Sequence, residues 1–247
     1  MTLQVPKNIL ILGLGYTGRF LLQTRPQEWL STQVLTTSRS QGQNFVFDLL
    51  DESTWDHLPP VAGTIITFPL EPFAKAKSFF DKKKNDLGRI VIMGSTSCLQ
   101  IDEEGQRVNE DCPITPSLDR VEAELYFKSQ GAMLVLASGI YGPGRNPIDW
   151  VKKGWVGPSE KYLNLIHGED LARILWAALK MGQPGTTYLA SDGHPHSWKK
   201  LITHWQSKGL LPNRVGGPPS RRVSKKIDSS KTLEQLSISL NYPDILG

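Results

Sequence analysis

The stretch that most constrains the fold is NILILGLGYTGRFLL at residues 8–22, where an apolar run leads through three spaced glycines into a helical pattern. The spacing G-x-G-x-x-G in this strand-to-helix context is the one that a dinucleotide-binding turn requires. Gly13 permits the tight turn, Gly15 lets a pyrophosphate approach the backbone, and Gly18 lets the helix pack on the strand. The helix N-terminus favours phosphate through its free N–H groups and its dipole. The predicted cofactor contacts in this turn are Gly13, Gly15, Tyr16, Thr17 and Gly18. A purely structural turn is the alternative.

Short apolar runs alternate with helical patterns over the first two thirds of the chain. Most runs are continuously apolar, which is typical of strands buried on both faces of a parallel sheet. The predicted strands span residues 8–12, 33–37, 44–47, 63–68, 89–93 and 132–137, with helices predicted at 71–84 and 117–130. This order predicts an α/β fold built on a doubly wound parallel Rossmann sheet.

The alternation changes after residue 140. The segment YGPGRNPIDW at 141–150 is rich in Pro and Gly and is predicted to be a loop. Later patterns predict a helix at 171–181, a strand at 186–192 and a helix at 197–206. We therefore expect a dinucleotide-binding domain at 1–140 and a small C-terminal α/β substrate lobe at 141–247, with residues 162–190 rejoining the sheet.

Composition and cysteine placement limit the classes of protein to consider. The 247 residues are 39% apolar and 21% charged, which is ordinary for one globular domain. No apolar run is long enough to span a membrane, and the first residues lack a signal-peptide pattern. Cys98 and Cys112 lie outside metal-binding or disulfide spacings, so we predict a cytoplasmic protein with no metal site and no membrane partner.

Positive charge is concentrated near the C-terminus. Between residues 208 and 231 a single acidic residue, Asp228, stands among the basic residues Lys208, Arg214, Arg221, Arg222, Lys225, Lys226 and Lys231. Such a stretch is either a solvated loop or a surface for a phosphorylated small molecule. No helix-turn-helix or aromatic platform accompanies it, so the sequence does not favour a nucleic-acid partner.

The end of the second predicted strand, LTTSRS at 35–40, bears on the choice of cofactor. An NAD-preferring site usually carries Asp or Glu there, which binds the ribose 2′-hydroxyl. Here Ser38 and Arg39 offer a hydroxyl and a guanidinium, with no carboxylate to repel a 2′-phosphate. The sequence therefore favours NADP over NAD. A plain surface charge is the alternative role for Arg39.

Five stretches of the chain resemble a known family in their order and spacing. They are ILGLGYTG, FDLLD, IVIMGSTS, GIYGPGR and NLIHGEDLA. Together they resemble the extended short-chain dehydrogenase/reductase (SDR) superfamily, in its nucleotide-sugar epimerase/dehydratase group, and especially its shortened, atypical members. The resemblance implies an NAD(P)-dependent enzyme acting on a small molecule, phosphorylated or a nucleotide sugar. It also makes a homodimer an open alternative to a monomer.

The resemblance implies individual cofactor contacts. Asp48, with Leu49, matches the family residue that contacts the adenine ring, although Asp48 alone would be interpreted as a turn residue. Thr67, Phe68 and Pro69 match the segment that lines the cofactor's ribose and pyrophosphate.

The resemblance also implies contacts on the substrate side. Ser95 matches the family's active-site serine, with Thr96 or Ser97 as its equivalent if the register differs. The loop YGPGR matches the family segment beside the nicotinamide and the substrate. Tyr141 and Arg145 are therefore candidate substrate contacts.

The family's catalytic Tyr-x-x-x-Lys pair has no match. Aligning Glu124 with the Glu that follows the family's Lys places Arg120 at the Lys position and Pro116 at the Tyr position. Arg120 is then the second candidate catalytic residue, able to bind a ribose or phosphate but a poor proton shuttle. His167 is the remaining acid–base candidate, or else half of a structural pair in which Asp170 caps the next helix.

Two functions remain open from the sequence. The first is an oxidoreductase or epimerase/dehydratase-like enzyme that uses NADP, with NAD as the other possible cofactor. Its missing phenol removes a general acid–base catalyst worth roughly 10²–10⁴-fold in rate. The alternative is a catalytically weak or inactive NADP(H)-binding redox sensor or partner-binding module. Tyr126 does not restore the pair, because its apolar helical neighbours predict a packing role.

Overall fold

The computed structural model describes residues 3–40, 42–220 and 223–247. Its helices are α1 (Tyr16–Gln23), α2 (Phe73–Lys83), α3 (Asp119–Ser129), α4 (Pro147–Lys152), α5 (Gly168–Met181), α6 (Trp198–Ser207) and α7 (Ser230–Gln235). Its strands are β1 (Asn8–Leu12), β2 (Gln33–Ser38), β3 (Phe45–Val46), β4 (Gly63–Ile66), β5 (Arg89–Ser95), β6 (Gln106–Val108), β7 (Met133–Ala137), β8 (Gly139–Tyr141), β9 (Tyr162–Leu163), β10 (Leu165–His167), β11 (Thr187–Ala190), β12 (His196–Ser197) and β13 (Lys225–Ile227). None of the helices in these ranges has the length and apolarity needed to cross a bilayer.

Seven strands form one parallel sheet in the order β3-β2-β1-β4-β5-β7-β11. β1 lies inside the sheet, with Ile9 opposite Val34 of β2 on one side and Gly63 of β4 on the other. The prediction of an α/β fold with a doubly wound parallel Rossmann sheet is confirmed, and each of the predicted strands of the first 140 residues lies in this sheet. The strand β11 comes from the C-terminal part and pairs with β7 at the edge.

Both faces of the sheet are covered, which explains why its strands are continuously apolar. Successive residues of a strand point to opposite faces. Leu10 of β1 packs in one core with Phe79 of α2 and Phe127 of α3. Ile9 packs in a second core with Leu175 of α5. The helices therefore sit on both sides of the sheet and leave its carboxyl edge open for a site.

A third apolar cluster lies in the C-terminal part. Ile148 and Val151 of α4 pack in it with Leu201 and Trp205 of α6. This cluster is separate from the two cores that cover the sheet. It gives the predicted small α/β lobe a core of its own.

The prediction that residues 141–150 form a loop throughout is wrong in its second half. The side chain of Asn146 accepts a hydrogen bond from the N–H of Ile148 at 3.1 Å, and Pro147 is the first residue of α4. Asn at the N-cap followed by Pro at the first helical position is a helix-start signal. The abundance of Pro and Gly before it hid this signal.

Short strand pairs outside the main sheet connect distant segments of the chain. β8 pairs with β10, β9 with β12, and β6 with β13. In the last pair Lys225 lies opposite Gln106, so the basic C-terminal stretch returns to the first half of the molecule. Arg221 and Arg222 of that stretch lie outside the described residues.

Candidate functional site

The glycines between β1 and α1 each meet a different steric demand. Gly13 has a φ of +96°, a conformation that residues with side chains rarely adopt. A Cβ on Gly18 would lie 2.6 Å from the carbonyl oxygen of Gly13, so only glycine allows this close approach. A Cβ on Gly15 would meet no atom within 4 Å. The space beside Gly15 is therefore open for a ligand to reach the backbone.

Helix α1 begins at this open space. Gly15 is its N-cap and supplies no side-chain hydrogen bond. The N–H groups of the first helical turn, from Tyr16 onward, have no partners within the helix. They carry partial positive charge, which favours an anion such as a phosphate. Thr17 is buried beneath this turn.

Two threonines hold the glycine turn in place. The hydroxyl of Thr37 accepts a hydrogen bond from the N–H of Gly13 at 3.0 Å. The hydroxyl of Thr67 donates to the carbonyl of Gly13 at 2.5 Å. The turn is therefore preorganised by its own chain. Beyond Thr67, Phe68 and Pro69 line the cleft described below.

The end of β2 carries a free cation. Arg39 is exposed, and in the described part of the chain no hydrogen bond or ion pair involves its guanidinium. The hydroxyl of Ser38 donates to the carbonyl of Ser40 at 2.5 Å. Asp48 accepts a hydrogen bond from the N–H of Leu50 at 2.9 Å, and the side chain of Leu49 packs in the core. Of these predicted adenosine-side residues, Arg39 is the most available to a ligand.

A cleft of about 1270 Å³ opens where the strands of the sheet end. Ligands of open α/β sheets bind outside this carboxyl edge. One wall comes from β4, β5 and α3, with Phe68, Ser95 and Arg120. The other comes from the C-terminal part, with Trp150, Trp155, Tyr162, Asn164, Trp198 and Lys225.

Ser95 lies at the end of β5 and caps the short 3-10 turn Thr96–Cys98. Its hydroxyl oxygen accepts a hydrogen bond from the N–H of Ser97 at 3.3 Å. Within residues 3–40, 42–220 and 223–247 its hydroxyl hydrogen has no acceptor. That hydrogen is therefore available to an oxygen atom bound in the cleft.

Arg120 lies on α3, facing the same turn. Its guanidinium donates to the hydroxyl of Ser97 at 2.9 Å and to Oε1 of Glu124 at 3.2 Å. Glu124 is buried against Gly94, and its Oε2 has no hydrogen-bond partner. Burial raises the pKa of Glu124 to about 7, although the nearby Arg120 lowers it. The structure thus brings Ser95 and Arg120 together, with Glu124 beneath them.

Lys225 lines the cleft, a position that the sequence did not predict for it. Its ammonium donates to the carbonyl of Thr96 at 2.5 Å, and burial lowers its pKa. In the sequence it is one of several basic residues of a predicted loop or phosphate-facing stretch. The β6–β13 pairing, which carries it into the cleft, involves three residues on each strand and leaves no periodic pattern.

The loop after β8 lies over the start of α1. The guanidinium of Arg145 lies 5.6 Å from the ring centre of Tyr16, whose hydroxyl donates to the carbonyl of Pro143 at 3.3 Å. Burial raises the pKa of Tyr16, although Arg145 opposes this. Arg145 also lines the cleft. Tyr141, in contrast, is 7% exposed and packs its ring on His167 instead of lining the cleft.

His167 has a structural environment. It is the N-cap of α5, where its ring nitrogen accepts a hydrogen bond from the N–H of Glu169. Its ring stacks on Tyr242 at 3.7 Å, and burial lowers its pKa. The predicted cap at Asp170 is wrong, because its buried carboxylate accepts hydrogen bonds from the backbone of Asn241 and Tyr242. His167 and Asp170 together hold the C-terminal segment at 241–242 against the start of α5.

No metal site is formed by the residues that the structure describes, since no three His, Cys, Asp or Glu side chains are grouped to hold an ion. Cys98 and Cys112 are free thiols. Burial raises the pKa of Cys98 to about 11, which keeps it protonated and unreactive near neutral pH.

Sequence comparison with known proteins finds distant similarity only. No family model matches the chain. Protein YeeZ from Escherichia coli K12 is 24% identical over 270 aligned positions, covering 97% of this chain and 98% of that protein.

Solved structures match over nearly the whole chain. UDP-N-acetylglucosamine 4-epimerase from Bacillus cereus is 18% identical with a TM-score of 0.75, covering 95% of this chain and 94% of that one. The structure of MoeE5 in complex with UDP-glucose and NAD is 15% identical with a TM-score of 0.76, covering 97% and 96%. A putative NAD-dependent epimerase/dehydratase from Methylobacillus flagellatus also matches, at 18% identity with a TM-score of 0.73, covering 98% of this chain and 95% of that one. The resemblance seen in the sequence is thereby confirmed at the level of the fold, which this chain shares with epimerase/dehydratase structures.

Proposed function

We propose that this protein is an oxidoreductase or epimerase/dehydratase-like enzyme that binds NADP in preference to NAD and works without the family's Tyr-x-x-x-Lys pair. The observation that carries the proposal is the glycine turn, open at Gly15 and closed to any side chain at Gly13 and Gly18. A turn that served packing alone would not need the open position beside a free helix N-terminus.

The residues present fit a dinucleotide. Gly15, Tyr16 and Thr17 offer backbone N–H groups to the pyrophosphate, and Asp48 with the backbone of Leu49 lies on the adenine side. Thr67, Phe68 and Pro69 lead from the turn towards the cleft. When bound there, a nicotinamide dinucleotide supplies or accepts a hydride.

The preference for NADP rests on Arg39 and Ser38. Arg39 is exposed and unpaired in the described part of the chain, and no carboxylate stands at positions 38–40. A guanidinium can bind a 2′-phosphate with two parallel hydrogen bonds. NAD lacks that phosphate, so it gains nothing from this cation.

Ser95 and Arg120 are the proposed catalytic residues. Ser95 can donate its free hydroxyl hydrogen to a substrate oxygen. Arg120 can stabilise negative charge that develops there, because three of its five N–H donors are not needed by Ser97 and Glu124. The family's tyrosine position is held by Pro116, which precedes α3.

We also propose that the chain divides functionally near residue 140. The segment 1–140 would serve the dinucleotide, and 141–247 would supply the substrate wall of the cleft, while 162–190 returns to the sheet through β11. The substrate would be a small molecule that contacts Arg145 on this wall. Nucleotide sugars, which some neighbours bind by their names, are one class to test.

The direct test has two parts. Fluorescence titration with NADPH and NADH measures binding and preference, and a panel of carbonyl compounds with NADPH then measures turnover. Tighter binding of NADPH than NADH together with oxidation of NADPH by a member of the panel supports the enzyme. Binding without turnover of any compound counts against it.

The missing phenol favours a second function, a redox sensor or partner-binding module. Tyr162 is the single tyrosine among the described residues that line the cleft, and it comes from β9 instead of α3. A sensor would change its oligomeric state or partner affinity between NADP⁺ and NADPH. Identical sedimentation and pull-down profiles in the two cofactors would exclude it.

A further inference from the structure

Two cations reach the Thr96–Cys98 turn from distant parts of the chain. Arg120 donates to the hydroxyl of Ser97 at 2.9 Å, and Lys225 donates to the carbonyl of Thr96 at 2.5 Å. Burial raises the pKa of the Cys98 thiol in this turn, and both positive charges act against that rise. The two cations therefore share one end of the cleft.

Positive charge exceeds negative charge in this cleft. Among the described lining residues, Arg120, Arg145 and Lys225 are cationic and Glu124 is the single carboxyl group. Glu124 pairs with Arg120 at 3.2 Å. Lys225 has no carboxylate partner in the described ranges, although it is half-buried. A buried cation without a counterion is unfavourable, and an anionic ligand would offset that cost.

Hydrogen-bond donors remain free on both cations. The ammonium of Lys225 has three N–H donors, of which the carbonyl of Thr96 uses one. The guanidinium of Arg120 has five, of which Ser97 and Glu124 use two. Oxygen atoms of a carboxylate or phosphate are the strong acceptors for such charged donors.

Aromatic rings form the wall beside this charged end. The rings of Trp150 and Trp198 lie 6.0 Å apart and are tilted by 46°. Trp155, which is 63% exposed, and Tyr162 extend the same wall. Such rings contribute binding energy only to a ligand with a flat or apolar body.

We propose that the substrate side of the cleft binds an organic acid, with its carboxylate or phosphate group between Lys225 and Arg120 and its ring or apolar body on the aromatic wall. This names the substrate class of the proposed function and rests on that function for the reaction. The ligand site itself rests on the side chains of the cleft. It also gives the β6–β13 pairing a role, since that pairing brings Lys225 into place.

The test compares charged and neutral ligands of similar shape. Phenyl phosphate, phenylacetate and the neutral 2-phenylacetamide are titrated against the full chain by tryptophan fluorescence and saturation-transfer NMR. We expect one or both anions to bind at least about tenfold more tightly than the amide. Lys225→Met and Arg120→Met should each weaken anion binding by about 10- to 100-fold and leave the amide unchanged. The stronger of the two anions identifies the group that the natural ligand carries.

The matched control is Lys208→Met, which removes one exposed charge from the same basic stretch and should not change anion affinity. Thermal melts establish that each variant is folded; if Lys225→Met is not, Arg120→Met and the salt dependence of wild-type binding carry the test. Equal affinity for anions and amide, insensitivity to the variants, or no binding at millimolar concentrations would overturn the proposal. NADPH binding, measured on the same samples, tests the proposed function separately: anion binding without NADPH binding would overturn that function alone.

Discussion

The glycine turn and the charged end of the cleft are built in opposite ways. The turn consists of backbone: Gly13, Gly15 and Gly18 shape it, and the hydroxyls of Thr37 and Thr67 fix it. The charged end consists of long side chains that reach one 3-10 turn from α3 and β13. A backbone site offers partial charges that need no counterion, whereas the side-chain site includes the half-buried Lys225, which has no counterion among the described residues.

The two sites differ in whether their polar and charged groups find partners within the protein. The turn is held by hydrogen bonds from Thr37 and Thr67 to Gly13 and is open at Gly15. The cleft leaves Oε2 of Glu124 without a hydrogen bond and Lys225 without a counterion in the described part of the chain. Changes in the turn should therefore act on cofactor binding or packing, and changes in the cleft should act on charge and pH dependence.

The largest expected effect comes from filling the open position of the turn. Gly15→Val places a side chain where the pyrophosphate is proposed to approach, and loss of two or three charged hydrogen bonds weakens NADPH binding by about 1000-fold. The melting temperature should stay within a few degrees of wild type, because a Cβ at this position meets no protein atom within 4 Å. NADPH fluorescence titration and thermal melts measure the two quantities.

Two further glycine variants serve as controls for Gly15→Val. Gly216→Val, also in open space, should change neither quantity. Gly18→Val should lose the fold, since its Cβ would lie 2.6 Å from the carbonyl oxygen of Gly13. Unaltered NADPH affinity in Gly15→Val would remove the cofactor role of the turn.

The next largest effect is the contribution of Glu124 to the pH dependence of the free energy of unfolding. Its folded pKa of about 7 lies above the ordinary 4.5, so the folded state holds the proton more tightly than the unfolded state. This contribution to stability is fully present below pH 4.5 and is lost as the pH rises through 7. Glu124→Gln should therefore gain stability relative to wild type across this window, by at most about 3 kcal/mol.

Chemical denaturation at pH 4, 6 and 8 measures this gain. Asp192, whose pKa burial also raises to about 7, contributes equally to both proteins and cancels in the difference. A difference between Glu124→Gln and wild type that stays constant with pH would show that folding does not shift the pKa of Glu124.

A smaller effect separates the two cofactors. Arg39→Leu should weaken NADPH binding by about 10- to 30-fold and leave NADH binding unchanged, because only the 2′-phosphate pairs with the guanidinium. Arg107→Leu, which removes another exposed arginine, serves as the control. Parallel titrations with both cofactors measure the ratio, and an equal loss for NADH and NADPH would refute the assignment.

The smallest effect is expected at Tyr126. Its hydroxyl donates to Asp81 at 2.7 Å on the outer surface of α2 and α3, away from the cleft lining. Tyr126→Phe should leave turnover unchanged and shift the melting temperature by no more than about 2 °C. A tenfold loss of turnover at constant NADPH affinity would instead identify this phenol as the missing acid.

The glycine turn and the strands around it could be predicted because their determinants are local. The positive φ of Gly13 and the contact of Gly18 with the carbonyl of Gly13 both arise within the turn, and the strands that frame it are continuous apolar runs whose burial follows from their composition. Arg39 follows the second strand directly, so its position was set once that strand was recognised.

The wall of the cleft that comes from the C-terminal part could not be predicted in the same way. Lys225 reaches the cleft through a pairing between segments more than a hundred residues apart, each three residues long. Tyr141 was expected beside the substrate from its loop, yet the register of β8 against β10 turns it into the interior against His167. Such placements depend on tertiary pairing, which no local pattern encodes.

A crystal structure with NADP⁺ bound is the most direct test of the proposed cofactor and substrate sites. The account predicts the pyrophosphate against the N–H groups at Gly15, the 2′-phosphate on Arg39, and the nicotinamide beside Ser95. It further predicts that Ser95, Arg120 and Lys225 face the substrate position and that no tyrosine hydroxyl lies within hydrogen-bond reach of it. A tyrosine oxygen at that position, or a dinucleotide bound away from Gly15, would contradict the account.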